Sequence, residues 1–261
     1  MTAINYATAG GIARITFNRP ERKNSFTLEM FQELAGLIER AQQDTEVRVL
    51  MVTGAGDSFC SGVDLDAFFS RGTPSPYDNK ALLTDRVHSV AHALDWCDKP
   101  VVAAVRGAAV GAGMDMSLMA DIRLASSTAK FSERYIKVGL LPGDGGCYLL
   151  PRIVGRARAL ELMWTGEFID AESALAHGIV SHVFDDSEFS ERVEQFVLRL
   201  AQSPPLMTRF IKRATIDGEH MTFRGALDLI SSHQAVIQST HDSAEAVTAM
   251  NEHRAPKFRG C

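Results

Sequence analysis

F-C-S-G-V-D-L at Phe59 to Leu65, followed by V-R-G-A-A-V-G-A-G-M-D at Val105 to Asp115, are the stretches whose reading decides the fold. Each is a glycine-containing turn at the exit of a buried strand. Such turns can aim main-chain N–H groups at one point without side-chain interference. Two converging donors of this kind make an oxyanion hole. An acid, Asp115, follows the second turn, and a third glycine turn, P-G-D-G-G, lies at Pro142 to Gly146.

Outward from these turns the chain alternates strand and helix. In G-I-A-R-I-T-F-N, Ile15 and Phe17 alternate with polar neighbours before Arg19 and Pro20, which reads as a half-buried strand stopped by proline. Leu28, Phe31, Leu34, Ala35 and Ile38 recur at helical spacing behind Thr27, a suitable N-cap. Val47 to Val52, Val101 to Val105 and Ile122 to Ala125 have the composition of strands covered on both faces. Strands alternating with helices predict an α/β architecture with right-handed crossovers.

From Arg156 the pattern becomes helical, with 3.6-type spacing over Ala157 to Trp164, Ala171 to His177 and Phe189 to Ala201. Ser203-Pro204-Pro205 marks a break, and helices are predicted over Leu206 to Ile216, Phe223 to Thr240 and Ser243 to His253. The chain is therefore divided into a core, 1–203, and a helical C-terminal segment, 204–261. Arg71 to Asn79 has the composition of a mobile loop.

Composition narrows the partners. Lys plus Arg total 27 against 32 Asp plus Glu, and a net charge of -5 argues against a general nucleic-acid or membrane-surface partner. Four dispersed cysteines, with no C-x-x-C, read as free thiols in a reducing compartment. The N-terminus has neither a charged leader nor a long apolar stretch, which predicts a cytoplasmic protein. The most apolar run, Val101 to Met114, is broken by Arg106 and is too short for a bilayer.

Other motifs fail on their companions. His88 and His92 stand one helical turn apart with Asp85, but no further metal ligand is evident, so no metal is predicted. Gly107, Gly111 and Gly113 do not form a dinucleotide fingerprint. Ser127-x-x-Lys130 lacks the other motifs of its class. Cys60 has no base near it in sequence and reads as a small buried thiol.

Taken in order and spacing, the motifs resemble the enoyl-CoA hydratase/isomerase (crotonase) family over nearly the whole chain. The matching pieces are N-R-P-E-R-K-N-S-F at Asn18, the two glycine turns, M-A-D-I-R-L-A, G-L-L-P-G-D-G-G-C-Y-L-L-P-R-I-V-G, W-T-G-E-F-I-D-A-E-S-A and the tail R-A-P-K-F-R-G. The resemblance implies a spiral of β-β-α repeats, a helical C-terminal segment packing across subunits, and a homotrimer or dimer of trimers. It also implies an acyl-CoA thioester as substrate, with no tightly bound cofactor and a thioester enolate as the stabilised species. The oxyanion donors would be the backbone N–H groups of Val63 and Ala112, the latter helped by the helix starting near Gly113. The adenine would lie near Ser61, Asp64 and Leu65 and the phosphates near Arg22 and Lys23, although a basic pair alone is usually solvated surface. Lys257 and Phe258 match tail residues that in relatives reach a neighbour's CoA.

The acid-base residues depart from the pattern that the resemblance implies for hydratases, which carry two glutamates. Their positions hold Asp115 and Tyr135, the second in the strand before the third glycine turn. A phenol with a pKa of roughly 10 donates a proton but is a poor base near neutrality. Asp144, inside P-G-D-G-G, supplies a second carboxylate beside the position where the family's dienoyl isomerases carry a catalytic aspartate. An aspartate in a glycine turn is also an ordinary turn-former. Glu133, of the same strand parity as Tyr135, is a weaker candidate. Asp115, Asp144 and Tyr135 are thus the expected catalytic set, with Phe68, Phe69 and the segment around His88 lining the acyl pocket. Hydration of a 2-enoyl-CoA is the first expectation and enoyl- or dienoyl-CoA isomerisation the second. A catalytically silent acyl-CoA-binding homologue is a third reading.

Overall fold

Period-two burial along the strands divides the interior into two layers. The computed structural model describes residues 2–70, 72 and 74–261, and all side chains among them but that of Phe69. Its large sheet has six strands, β1 (Ile4–Ala9), β2 (Ile12–Phe17), β3 (Val49–Gly54), β4 (Val101–Val105), β6 (Ile122–Ser126) and β9 (His182–Phe184). β1 and β2 pair antiparallel and the remaining neighbours pair parallel. Ile12, Val49, Met51, Val102, Ala104 and Leu124 face the helix Phe189–Ala201, meeting Phe189, Val193, Val197 and Ala201. The intervening residues Ile15, Phe17, Leu50, Val52, Ala103 and Val105 point the other way into the main core.

A smaller sheet holds β5 (Ala108–Val110), β7 (Lys130–Ser132) and β8 (Ile169–Asp170). Two isolated parallel bridges, Phe26 with Val63 and Cys60 with Ala109, extend the same pairing pattern back along the chain. Each strand of the large sheet from β2 through β6 is thus followed by a short extended piece that pairs in parallel with that of a neighbouring turn. The repeats stack as the expected β-β-α spiral, an α/β fold. Phe17, Phe26, Phe31 and Phe59 fill its start, with Phe17 edge-on to Phe26 at 4.8 Å and to Phe59 at 5.3 Å.

The helices fall largely where hydrophobic spacing predicts, as Leu28–Gln43, Arg156–Thr165 and Phe189–Ala201 show. One expectation needs correction. Within the stretch read as a mobile loop, Pro76–Leu82 is a helix, while Arg71 and Thr73 lie outside the described residues. Ser75 accepts from the amide of Asp78 and the Asp78 carboxylate accepts from the amide of Ser75, a reciprocal cap that outweighs loop-like composition. A π-helical turn, Leu83–Val87, joins it to the helix His88–Trp96.

The C-terminal segment consists of Pro205–Gly218, Phe223–Gln238 and His241–Asn251. Arg209 holds Asp98 through two hydrogen bonds of 2.8 and 2.7 Å, and Lys212 holds Asp121 at 2.8 Å. Asp242 accepts from the amides of Arg259 and Gly260, both at 2.7 Å, and so pins the tail. Ile211, Phe223, Val247 and Met250 stay more than half exposed on these helices. Among the described residues no helix is long and apolar enough to cross a membrane.

The spiral brings the first glycine turn against the helix Ala112–Leu118, all seven residues of which are buried. A Cβ on Gly113 would stand 2.2 Å from the carbonyl oxygen of Cys60, so only glycine allows this approach. Gly113→Ala should therefore lower unfolding free energy by about 1–3 kcal/mol despite alanine's better helix propensity. Urea denaturation measures this, and an unchanged midpoint would show that the contact relaxes freely.

Candidate active site

The two glycine turns meet edge to edge. Cys60 donates its amide to Ala108 O at 2.9 Å and accepts from Val110 N at 3.0 Å, which ties the first turn to β5. Phe26 N reaches Gly62 O and Asp64 N reaches Phe26 O, both at 2.8 Å, on either side of Val63. Gly62 has φ +101°, and a Cβ built there would be 3.9 Å from the amide nitrogen of Ala112. Among the described residues, the amides of Val63 and Ala112 have no hydrogen-bond acceptor. Two free N–H donors on adjoining turns can share one carbonyl oxygen.

Asp115 enters from the first turn of the helix Ala112–Leu118, its amide bonded to Gly111 O at 2.9 Å. Asp144 enters from the third glycine turn. The hydroxyl of Tyr135 lies between them, hydrogen-bonded to Asp115 Oδ2 at 3.0 Å and, more closely, to Asp144 Oδ2. All three are buried, Asp115 completely. A phenol has one hydrogen, so it donates to only one carboxyl, and the other contact is a hydrogen bond only if that carboxyl is protonated. The phenol can therefore bridge both carboxyls with two hydrogen bonds only while one of them carries a proton.

Burial, followed by the charge of Asp144, pushes Asp115 up to about 7, against the opposing hydrogen bonds of Glu133 and Tyr135. Burial also raises Asp144, with the Tyr135 hydroxyl and nearby His88 opposing it. Tyr135 is raised well above an ordinary phenol by burial and by both aspartates. Glu133 is raised well above the carboxylate range by burial first and then by Asp115. Cys60 is pushed up to about 12 by burial, which keeps it a thiol and matches its reading as inert. His88 contacts Gly143 O through Nε2 at 2.9 Å and so braces the turn that carries Asp144.

A cavity of about 470 Å³ opens onto this cluster. Tyr135 and Asp144 are on its wall, with Val63 from the oxyanion side, and the rest is largely apolar, including Phe68, Leu82, Leu83, Val87 and Leu140. Phe68 lines it as expected, while the side chain of Phe69 lies outside the described residues. The wall supplied by Leu82, Leu83 and Asn79 was missed by sequence reasoning. The signal was S-P-Y-D at Ser75, a helix start with proline at its first position.

The placement of Tyr135 also needs correction. β7 ends at Ser132, and Tyr135 belongs to a 3-10 turn, Arg134–Val138. Strand parity therefore does not relate it to Glu133. Three residues per turn after a strand end bring both side chains inward by another route.

The residues considered for a nucleotide divide into two groups. Ser61 N donates to Lys23 O at 3.0 Å, and Arg22 bonds Asp66 at 2.9 Å and Asp64 at 3.4 Å, so Arg22, Lys23, Ser61, Asp64 and Leu65 are gathered at one rim. The Asp64 carboxylate is committed to Arg19 at 3.0 Å and to capping the helix Leu65–Phe69. Lys257 and Phe258 are elsewhere. Lys257 N bonds Glu245, and Phe258 O accepts from Arg48 at 2.9 Å, beside the start of β3, whereas the rim lies past the end of β2. Within one chain the two groups are separated by the length of the parallel strands.

Comparison with known proteins gives consistent findings. A family profile described as enoyl-CoA hydratase/isomerase matches residues 7–261. The chain is 37% identical to 1,2-epoxyphenylacetyl-CoA isomerase of Escherichia coli, covering 96% of this chain and 95% of that protein. It is 35% identical to (E)-benzylidenesuccinyl-CoA hydratase of Thauera aromatica, with 95% and 96% covered. A crystal structure from Mycobacterium abscessus, titled as a putative enoyl-CoA hydratase/isomerase, superposes with a TM-score of 0.94 at 30% identity, with 99% and 100% covered.

The buried acids make stability depend on pH. Asp115, Asp144 and Glu133 have folded-state pKa values above their unfolded ones. Their favourable contribution is complete below the unfolded values and is lost as pH rises through the folded ones, between about 4 and 7 for Asp115. Urea midpoints should fall as pH rises across that window, and Asp115→Asn should flatten the slope. An equal slope in the variant would mean that Asp115 ionises normally.

Proposed function

The chain belongs to the enoyl-CoA hydratase/isomerase family, and from that premise we propose that it moves a double bond within an unsaturated acyl-CoA thioester, using Asp144 and Tyr135. The observation that carries this reading is the phenol bridging the two carboxyls. Ionised Asp144 takes a proton from the acyl chain at the carbon alpha or gamma to the thioester, and the C–H electron pair flows toward the carbonyl oxygen. The amides of Val63 and Ala112 receive the resulting negative charge, each worth roughly 2.7–4 kcal/mol by analogy with other oxyanion donors. Asp144 returns the same proton to the other end of the allylic system. Tyr135 and Asp115, behind it, take up the change in charge by sliding the shared proton along their hydrogen bonds.

Hydration, the first expectation from sequence, needs a water held between two carboxylates, and the Tyr135 hydroxyl occupies that space. The named activities of the relatives include both an isomerase and a hydratase, which supports enolate chemistry without choosing between them. The apolar cavity favours an apolar acyl group. At ~30 Å³ per small group it has room for on the order of ten to fifteen non-hydrogen atoms. Arg22, Lys23 and the main chain of Ser61, Asp64 and Leu65 would hold the nucleotide. Lys257 and Phe258 would serve a neighbouring subunit's site in a homotrimer or dimer of trimers, with Ile211, Phe223 and Met250 covered by the contact.

A panel of enoyl- and dienoyl-CoA thioesters tests the reaction. Double-bond migration without water uptake is expected, Asp144→Asn should lower kcat by roughly 10²–10⁴-fold with CoA affinity unchanged, and Tyr135→Phe should cost less. Ala112→Pro removes one donor at a helix position that accepts proline and should abolish turnover in a folded protein. A 3-hydroxyacyl-CoA product would make hydration the activity, and silence toward every thioester would make the protein a binding homologue. Sedimentation should give an assembly larger than a monomer, and a concentration-independent monomer rules out the shared site.

A further inference from the structure

Glu133 is a buried titratable group that the reaction above leaves unused. It is 1% exposed, and neither carboxyl oxygen has a hydrogen-bond partner. Asp115 Oδ1 is likewise buried and unpartnered. These groups interact with each other, each altering the other's proton affinity through a carboxyl–carboxyl contact. Two ionised carboxylates facing one another in a dry site offer only acceptors and leave all three oxygens unsatisfied. One proton between them turns the same contact into a strong hydrogen bond. The ionisable groups facing Glu133 are Asp115 from the helix Ala112–Leu118, Cys147 from the helix Gly146–Val154, Asp144 from the glycine turn and Tyr135 from the 3-10 turn. Among the described residues no Lys or Arg forms an ion pair with it, so nothing in that set stabilises an ionised Glu133.

We propose that Glu133 is a positioning residue that holds a proton against the buried oxygen of Asp115 and thereby fixes the direction in which the Asp115–Tyr135–Asp144 chain passes its own. With Asp115 accepting from Glu133 at Oδ1, it stays an acceptor at Oδ2 and takes the hydrogen of Tyr135. The phenol oxygen is then free to accept from Asp144 once Asp144 has received the substrate proton. If the proton instead shifts from Glu133 onto Asp115, Asp115 becomes a donor, and Tyr135 turns its hydrogen toward Asp144 and opposes its protonation. Loss of the proton to solvent leaves both carboxylates of the pair charged, with no donor between them. The inference rests on the proton-transfer reading of the site. It also has a readout independent of turnover.

The test compares Glu133→Gln, whose amide can still donate to Asp115, with Glu133→Met, which fills similar space without a donor. Gln should keep kcat near the parent's and lose the alkaline limb of the pH–kcat profile that ionisation of Glu133 imposes. Met should lower kcat by roughly ten- to a hundredfold with KM unchanged, the rate equivalent of one charge-assisted hydrogen bond. If Met does not fold, the Gln profile decides alone, and an alkaline limb identical to the parent's overturns the proposal. Infrared difference spectra at neutral pH should contain the carbonyl stretch of a protonated carboxyl that disappears in Gln, whether or not any thioester is turned over. Absence of that band in the parent overturns the assignment of the proton, whereas its presence with no isomerisation overturns only the proposed reaction.

Discussion

Because the carbonyl oxygen of Cys60 stands where a side chain on residue 113 would begin, the two glycine turns can be drawn together only through bare backbone. That approach sets the separation of the Val63 and Ala112 amides and starts the buried helix that delivers Asp115. The parallel ladders on either side hold it in place, since Cys60 is paired to β5 and Val63 to Phe26. A donor pair built this way has little freedom to reorganise. Electrostatic stabilisation of a developing charge is greatest under that condition.

The same burial creates a difficulty for the acids. Three carboxyls and a phenol packed out of water cannot all carry the charge they would have in solution. The fold answers with shared protons, with Tyr135 between Asp115 and Asp144 and, among the described residues, no Lys or Arg paired to either. Elsewhere the chain treats buried acids in the opposite way. Asp64 is held low by Arg19 and by the amide of Ala67, and Asp98 by Arg209 and Gln42 against its own desolvation. Paired acids fix structure, while burial without a cation brings Asp115 up to about 7 and raises Asp144 and Glu133 as well.

Much of this was readable in the residues. Alternation in G-I-A-R-I-T-F gave β2, the unbroken run at Val101 gave β4, and the helix Phe189–Ala201 begins and ends where its apolar spacing does. Asp115, Asp144 and Tyr135 come from three separate segments of the sequence and meet in the fold. What could not be read was the kind of meeting. The path after Ser132 switches from strand to 3-10 turn, so side-chain direction there is a property of the tertiary fold, and the phenol's seat between two carboxyls follows from it. The antiparallel β1 fully buries only Ile4 of its six residues and carries too little apolar alternation to announce itself. The helix at Pro76 was hidden by a composition of proline, serine and asparagine, and only its cap betrays it.

The cavity wall and the proton chain belong to different parts of the molecule. Leu82, Leu83 and Val87 come from a helical excursion between β3 and β4, whereas the acids come from the spiral itself. Among the described residues the excursion contributes no strand to either sheet. Leu82 on it lines the cavity, whereas Leu83 and His88 reach Gly143, next to Asp144. The shape of the cavity is thus set largely by helices, and the strands that carry the glycine turns stand apart from that choice.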